Sequence, residues 1–85
     1  MTEIKYVITD ELGIHARPAA QLVKRCNAYE SNILIGTSKK MVDAKRIMGV
    51  MGLALKCGDE MTIIFDGADA EQAAQDLQAF LKENL

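Results

Sequence analysis

The chain has 85 residues, 49% of them hydrophobic and 26% charged, with a net charge of −2, one histidine and one proline. That length suits a single domain over residues 1–85 with one core and excludes a deep cleft between lobes. The near-neutral charge argues against a general nucleic-acid binder, and no apolar run approaches the ~18 residues of a membrane span.

The opening Met1-Thr2-Glu3-Ile4-Lys5 lacks the basic-then-apolar pattern of a signal peptide, so a cytoplasmic location is expected. Ile4, Tyr6 and Ile8 alternate with Lys5 and Val7, and residues 3–9 are read as a strand with one buried face. Asp10-Glu11-Leu12-Gly13 breaks it. From Ala16 the apolar spacing becomes Ala19, Leu22, Val23 and Cys26, a helical stripe that fades near Asn27-Ala28 and leaves Gln21, Lys24 and Arg25 outside.

Ile33-Leu34-Ile35 is expected to be a short buried strand, Gly36-Thr37-Ser38-Lys39 a turn, and Lys40 to Ala44 its hairpin partner. Residues 46–54 carry Ile47, Val50, Met51 and Ala54 at helical spacing. Gly49 and Gly52 each cost about 1 kcal/mol of helix propensity, so this helix needs tertiary support. Lys56-Cys57-Gly58-Asp59 reads as a turn and Met61 to Phe65 as the most strand-like run.

A last helix follows, with Asp69 as N-cap, Gln72 completing a capping box, and Ala70, Ala73, Ala74, Leu77, Phe80, Leu81 and Leu85 in one stripe. The order β-α-β-β-α-β-α with one-sided helices implies an α+β, open-faced β-sandwich. Its four-stranded antiparallel sheet would carry three helices on one face. Such a fold buries its core without a second chain, and a monomer is expected.

Cys26 and Cys57 make no C-x-x-C pair, and with one histidine they do not form a zinc-ligand pattern. Both are read as reduced thiols, Cys26 in the core. Charge is segregated. Residues 12–29 hold Arg17, Lys24 and Arg25 without an acid, residues 37–56 hold five cations against Asp43, and residues 58–85 hold seven acids against Lys82. A shared basic surface would steer an acidic or phosphate-bearing partner, although ordinary solvated faces give the same counts.

The stretch Gly13-Ile14-His15-Ala16-Arg17-Pro18-Ala19 carries the chemistry. His15 falls at the expected N-cap of the first helix, a position that prefers Ser, Thr, Asp or Asn. The amides of Ala16 and Arg17 lie beyond it, with no intrahelical acceptor. Pro18 has no N–H to leave unpaired, and it disfavours helical geometry at Arg17, which predicts a slightly irregular start. An imidazole at the positive end of a helix, beside a guanidinium, is a nucleophile in an anion site. A phosphoryl group on a ring nitrogen would meet the free amides and Arg17.

A lone histidine near a helix start is as often a surface residue of no consequence, and the residues alone leave both readings open. General-base chemistry would need an acidic orienter or a nucleophile, and no Ser or Asp placement suggests one.

The His15 stretch resembles the active-site signature of HPr, the histidine-containing phosphocarrier family of the bacterial sugar phosphotransferase system. Lys45-Arg46-Ile47-Met48-Gly49-Val50-Met51 is similar to the K-S-I-M-G-V-M stretch of its Gram-positive branch, and the resemblance spans the whole chain. It implies a relay without cofactor or metal, in a carrier that is not a turnover enzyme. Enzyme I, charged by phosphoenolpyruvate, phosphorylates the histidine on Nδ1, and the group passes to the IIA domain of a sugar permease.

His15 matches the phosphorylated residue, and Arg17 the arginine that stabilises the phosphate with the Ala16 amide. Ala16, Ala20, Lys24, Ile47, Met48, Met51 and Gly52 match the docking surface, with Ile47 and Met48 expected to be exposed. Regulatory enzymes are further partners that the family implies. Gram-positive members carry a regulatory serine where this chain has Arg46, which has no hydroxyl to phosphorylate. The other functions the resemblance admits are a regulatory binding module and a carrier in a dihydroxyacetone-kinase or nitrogen-type relay.

Overall fold

The computed structural model describes residues 1–85. The elements run β1 (Thr2–Val7), α1 (Ala16–Asn27), β2 (Asn32–Thr37), β3 (Lys40–Asp43), α2 (Ile47–Gly52), β4 (Glu60–Asp66) and α3 (Ala70–Asn84). This is the expected order, and the four strands form one antiparallel sheet ordered β1-β4-β2-β3. β4 is central because its inward face is the most apolar: Met61, Ile63 and Phe65 are all buried. Ile63 pairs with Ile4 on one side and with Ile35 on the other.

The helices cover one face of the sheet. α1 contributes Ala19, Leu22 and Cys26 to the core, α2 contributes Val50, and α3 contributes the full stripe from Ala70 to Leu81. Burial pushes the Cys26 thiol up to about 12, as befits a core residue rather than a reactive one. α1 and α3 are clasped at their outer edge. Asp76 takes Arg25 Nη1 at 2.5 Å on one oxygen and the Tyr29 hydroxyl at 2.7 Å on the other. Arg25 also lies 5.0 Å over the Phe80 ring. The hydrogen bond from Tyr29 to Asp76 is the main reason its phenol is pushed up to about 12.

The structure corrects four local expectations. Leu34 is exposed, not buried, because β2 has one covered face and Leu34 points to the other beside Ile64. Gly36 and Thr37 pair with Met41 and Lys40, so the hairpin turn is only Ser38-Lys39. The second helix ends at Gly52, and Ala54 has φ of 52°, a left-handed residue that closes the helix instead of extending it.

Asp69 stands at the N-cap of α3, yet its side chain makes no capping hydrogen bond to that helix. Its carboxylate instead accepts from Glu30 N at 2.9 Å, Ser31 N at 3.0 Å and the Ser31 hydroxyl, tying α3 to the entry of β2. These bonds hold Asp69 below the usual aspartate value of 3.8. A carboxylate with a depressed folded value adds stability above its unfolded value, and that stability is lost as pH falls through the folded one. Asp69→Asn should therefore melt at a lower temperature than the parent at neutral pH. The gap should close below about pH 3.8 in thermal melts across an acid series.

Candidate functional site

His15 is set by the loop between β1 and α1, and the loop is pinned on two sides. On one side Thr9 N, Asp10 N and the Thr9 hydroxyl all donate to the Leu85 carbonyl, at 2.7, 2.9 and 2.8 Å. On the other, Ile14 N donates to Leu55 O at 3.0 Å and Ile8 N to Asp59 O at 3.0 Å. Gly13 makes the close approach to Leu55 possible, with φ of 66° and a missing Cβ that would meet the Leu55 carbonyl and Lys56 Cα. Ile14, buried in the core, turns the next side chain outward.

His15 is the N-cap of α1 in extended geometry, and its imidazole makes no capping bond. One of the two possible capping donors is missing. An N-cap side chain bonds the N–H of the second or third helical residue, and the third here is Pro18, which has none. Freed from capping, the imidazole stands 38% exposed. The N–H groups of Ala16 and Arg17 have no acceptor in the chain. The Arg17 guanidinium is exposed and has no carboxylate partner, whereas Arg25 pairs with Asp76 and Arg46 with Asp43. Arg17 lies inside a regular helix, so the irregular start expected from Pro18 is absent.

His15 and Arg17 line the same shallow recess of about 220 Å³ with Asp10, Pro18, Gln21 and Asn84. Asp10 is the residue that sequence reasoning missed. Its Oδ2 lies 3.6 Å from His15 Nε2, so an acidic neighbour is present after all. A signal was available: Asp at the head of Asp10-Glu11-Leu12-Gly13 is a turn former, and its Oδ1 accepts from Leu12 N at 2.9 Å while Gly13 N closes onto its carbonyl. A turn of that kind folds residue 10 back toward residue 15.

The remaining positions fall on the adjoining surface. Ala16, Ala20 and Lys24 are exposed on α1, which packs against α2. Asn27 and Lys45 fasten the two, through Asn27 Nδ2 to Lys45 O at 3.1 Å and Lys45 Nζ to Tyr29 O at 2.7 Å. On α2, Ile47, Met51 and Gly52 are exposed and Met48 projects farthest, at 82%. Leu12, also exposed, lies in the His15 loop and was not anticipated. Arg46 is directed to solvent, 3.6 Å from Asp43.

The site is thus an uncapped histidine at a helix start whose first N–H groups are unpaired, on an open-faced sandwich. The family model described as the PTS HPr component phosphorylation site matches residues 2–83. The phosphocarrier protein HPr of Lysinibacillus sphaericus is 44% identical over 79 residues, spanning 93% of this chain and 90% of that protein. A solved histidine-containing phosphocarrier protein of Mycoplasma superposes with a TM-score of 0.93 at 41% identity, covering 96% of this chain and 93% of its own. Crh of Bacillus subtilis, solved as an intertwined, swapped dimer, is 36% identical with a TM-score of 0.77, over 100% of this chain and 98% of its own.

The chain belongs to the HPr family, the phosphocarriers of the phosphotransferase system.

Proposed function

We propose that His15 accepts a phosphoryl group on Nδ1 from phospho-enzyme I and delivers it to the IIA component of a sugar permease. The observation that carries this reading is the constellation at the start of α1. An uncapped imidazole stands before the unpaired N–H groups of Ala16 and Arg17, with a guanidinium that no carboxylate neutralises. Nε2 is turned toward Asp10, which leaves Nδ1 as the nitrogen free to attack.

In the transfer the Nδ1 lone pair attacks phosphorus in line as the bond to the donor breaks. Charge then spreads over three equatorial oxygens. Helix-start amides and Arg17 meet that charge, and the same contacts hold the product until an acceptor arrives. The protein is consumed and regenerated by its partners and has no turnover of its own.

Docking would use Ala16, Ala20, Lys24, Ile47, Met48, Met51 and Gly52, an adaptable apolar patch with a basic rim that suits successive partners. We read residues 1–85 as one carrier domain acting in the cytoplasm. β1 pairs with β4 of its own chain along its whole length, and we propose that the chain acts as a monomer. Arg46 leaves His15 as the only phosphorylation site of the family's two, and that favours a specialised carrier over one that doubles as a serine-regulated corepressor.

The test is incubation with phosphoenolpyruvate and enzyme I, followed by mapping of the label. One acid-labile phosphoryl group on His15 is expected, and label elsewhere would refute the assignment. Arg17→Ala should slow the transfer by about tenfold or more, as loss of one preorganised donor does, while the melting temperature stays close to the parent's. Stopped-flow or quench-flow transfer rates would check it.

A further inference from the structure

We infer that Asp10 is a positioning residue for His15, fixing the imidazole as its Nε2–H tautomer and retaining that proton while Nδ1 carries the phosphoryl group. The inference rests on the carrier reading of His15 and extends it to the chemistry of release. The carboxylate is not a swinging surface charge. Its Oδ1 accepts from Leu12 N at 2.9 Å, and its own backbone N–H donates to Leu85 O at 2.9 Å. Gly13 N closes the turn onto its carbonyl at 2.9 Å. With Oδ1 engaged, Oδ2 is the oxygen that faces Nε2, 3.6 Å away, and the side chain is 28% exposed.

Arg17 from α1 is the only other charged group lining the recess. Pro18 and Gln21 from the same helix, and Asn84 from α3, are neutral. A cation and an anion thus flank one imidazole, and they have different tasks. Arg17 suits the phosphoryl oxygens, whereas the carboxylate suits the positive charge of the phosphorylated ring.

The step balances without any other reagent. The neutral ring, with its proton on Nε2, attacks through the Nδ1 lone pair. The phosphorylated ring keeps that proton and is cationic, its charge facing Asp10. On release the N–P bond breaks, its electron pair returns to Nδ1, and the ring departs as the neutral Nε2–H tautomer. No proton is transferred at either stage. Asp10 therefore favours the cationic phosphorylated ring over the neutral ring that departs, and steadies the phosphoryl group on Nδ1 between partners.

Two arms test this. Long-range ¹H–¹⁵N spectra of the unphosphorylated protein, above the range where free imidazole titrates, report the tautomer. The parent and Asp10→Asn, which keeps an oxygen toward Nε2, should show mainly Nε2–H, and Asp10→Ala should show a mixture. In the second arm, the phosphorylated parent should hydrolyse about fivefold slower than either variant at the same pH, the difference that one unit charge at this distance makes in water. A tautomer ratio unchanged in Asp10→Ala, or an Asp10→Asn hydrolysis rate equal to the parent's, overturns the assignment. A parent that takes up no phosphoryl group refutes the carrier reading instead, and the tautomer arm then decides Asp10 on its own.

Discussion

His15→Ala should fold as the parent does and accept no phosphoryl group. Complete loss is expected because the chain has no second imidazole. The retained fold follows from the site's construction. The imidazole makes no capping bond, its ring is 38% exposed, and its contact with Asp10 at 3.6 Å is partly solvated. Exposed pairs of this kind contribute little, so the substitution should change stability by no more than about 0.5 kcal/mol. Matched thermal melts with a phosphorylation assay separate the two effects. Residual labelling in a well-folded variant would place the acceptor elsewhere and end the present reading.

Gly13→Ala should do the reverse, damaging fold and function together. A non-glycine residue at φ of 66° costs about 1–2 kcal/mol, and the new methyl group would press on the Leu55 carbonyl and on Lys56 Cα at 2.8 Å. Backbone cannot swing aside as a flexible side chain can, so overpacking adds about another 1–3 kcal/mol. A total near 3 kcal/mol in an 85-residue chain corresponds to a melting temperature lower by about 15 °C. Because Ile14 N bonds the same Leu55 carbonyl, relief of the clash would also displace His15. Slower phosphoryl uptake is therefore expected even at temperatures where the variant is folded. Gly58→Ala is the control: its φ is also positive, at 93°, but open space surrounds it, so only the backbone cost applies. Equal losses at the two positions would show that contact with Leu55 is not the deciding factor.

Much of the architecture was legible because periodicity and burial agree. The α3 stripe is the plainest case, with every residue from Ala70 to Leu85 named in it buried. The uncapped His15 was legible for the opposite reason, as a residue that local propensity disfavours at the place where it stands. What sequence could not supply were pairings made across the fold. Asp69 has the identity of a helix cap, and only tertiary placement shows Ser31 and Glu30 outcompeting its own helix for the carboxylate. Asp10 looked like turn material, and its approach to Nε2 depends on loop closure that no period encodes. Leu34 was misplaced because a run of three apolar residues cannot say which of them an uncovered sheet face will leave outside. At α2, two glycines and the left-handed Ala54 shorten what the spacing extended.

The Leu85 carbonyl has a consequence for synthesis as well as for geometry. It receives three donors from Thr9 and Asp10, across a separation of 76 residues for the Thr9 hydroxyl. Those donors precede His15 by only a few positions, yet their acceptor is made long after them. A nascent chain that has emerged through β4 can already pair its strands, but its His15 loop still lacks one of its two anchors. The loop that carries His15 is therefore complete only once α3 has docked.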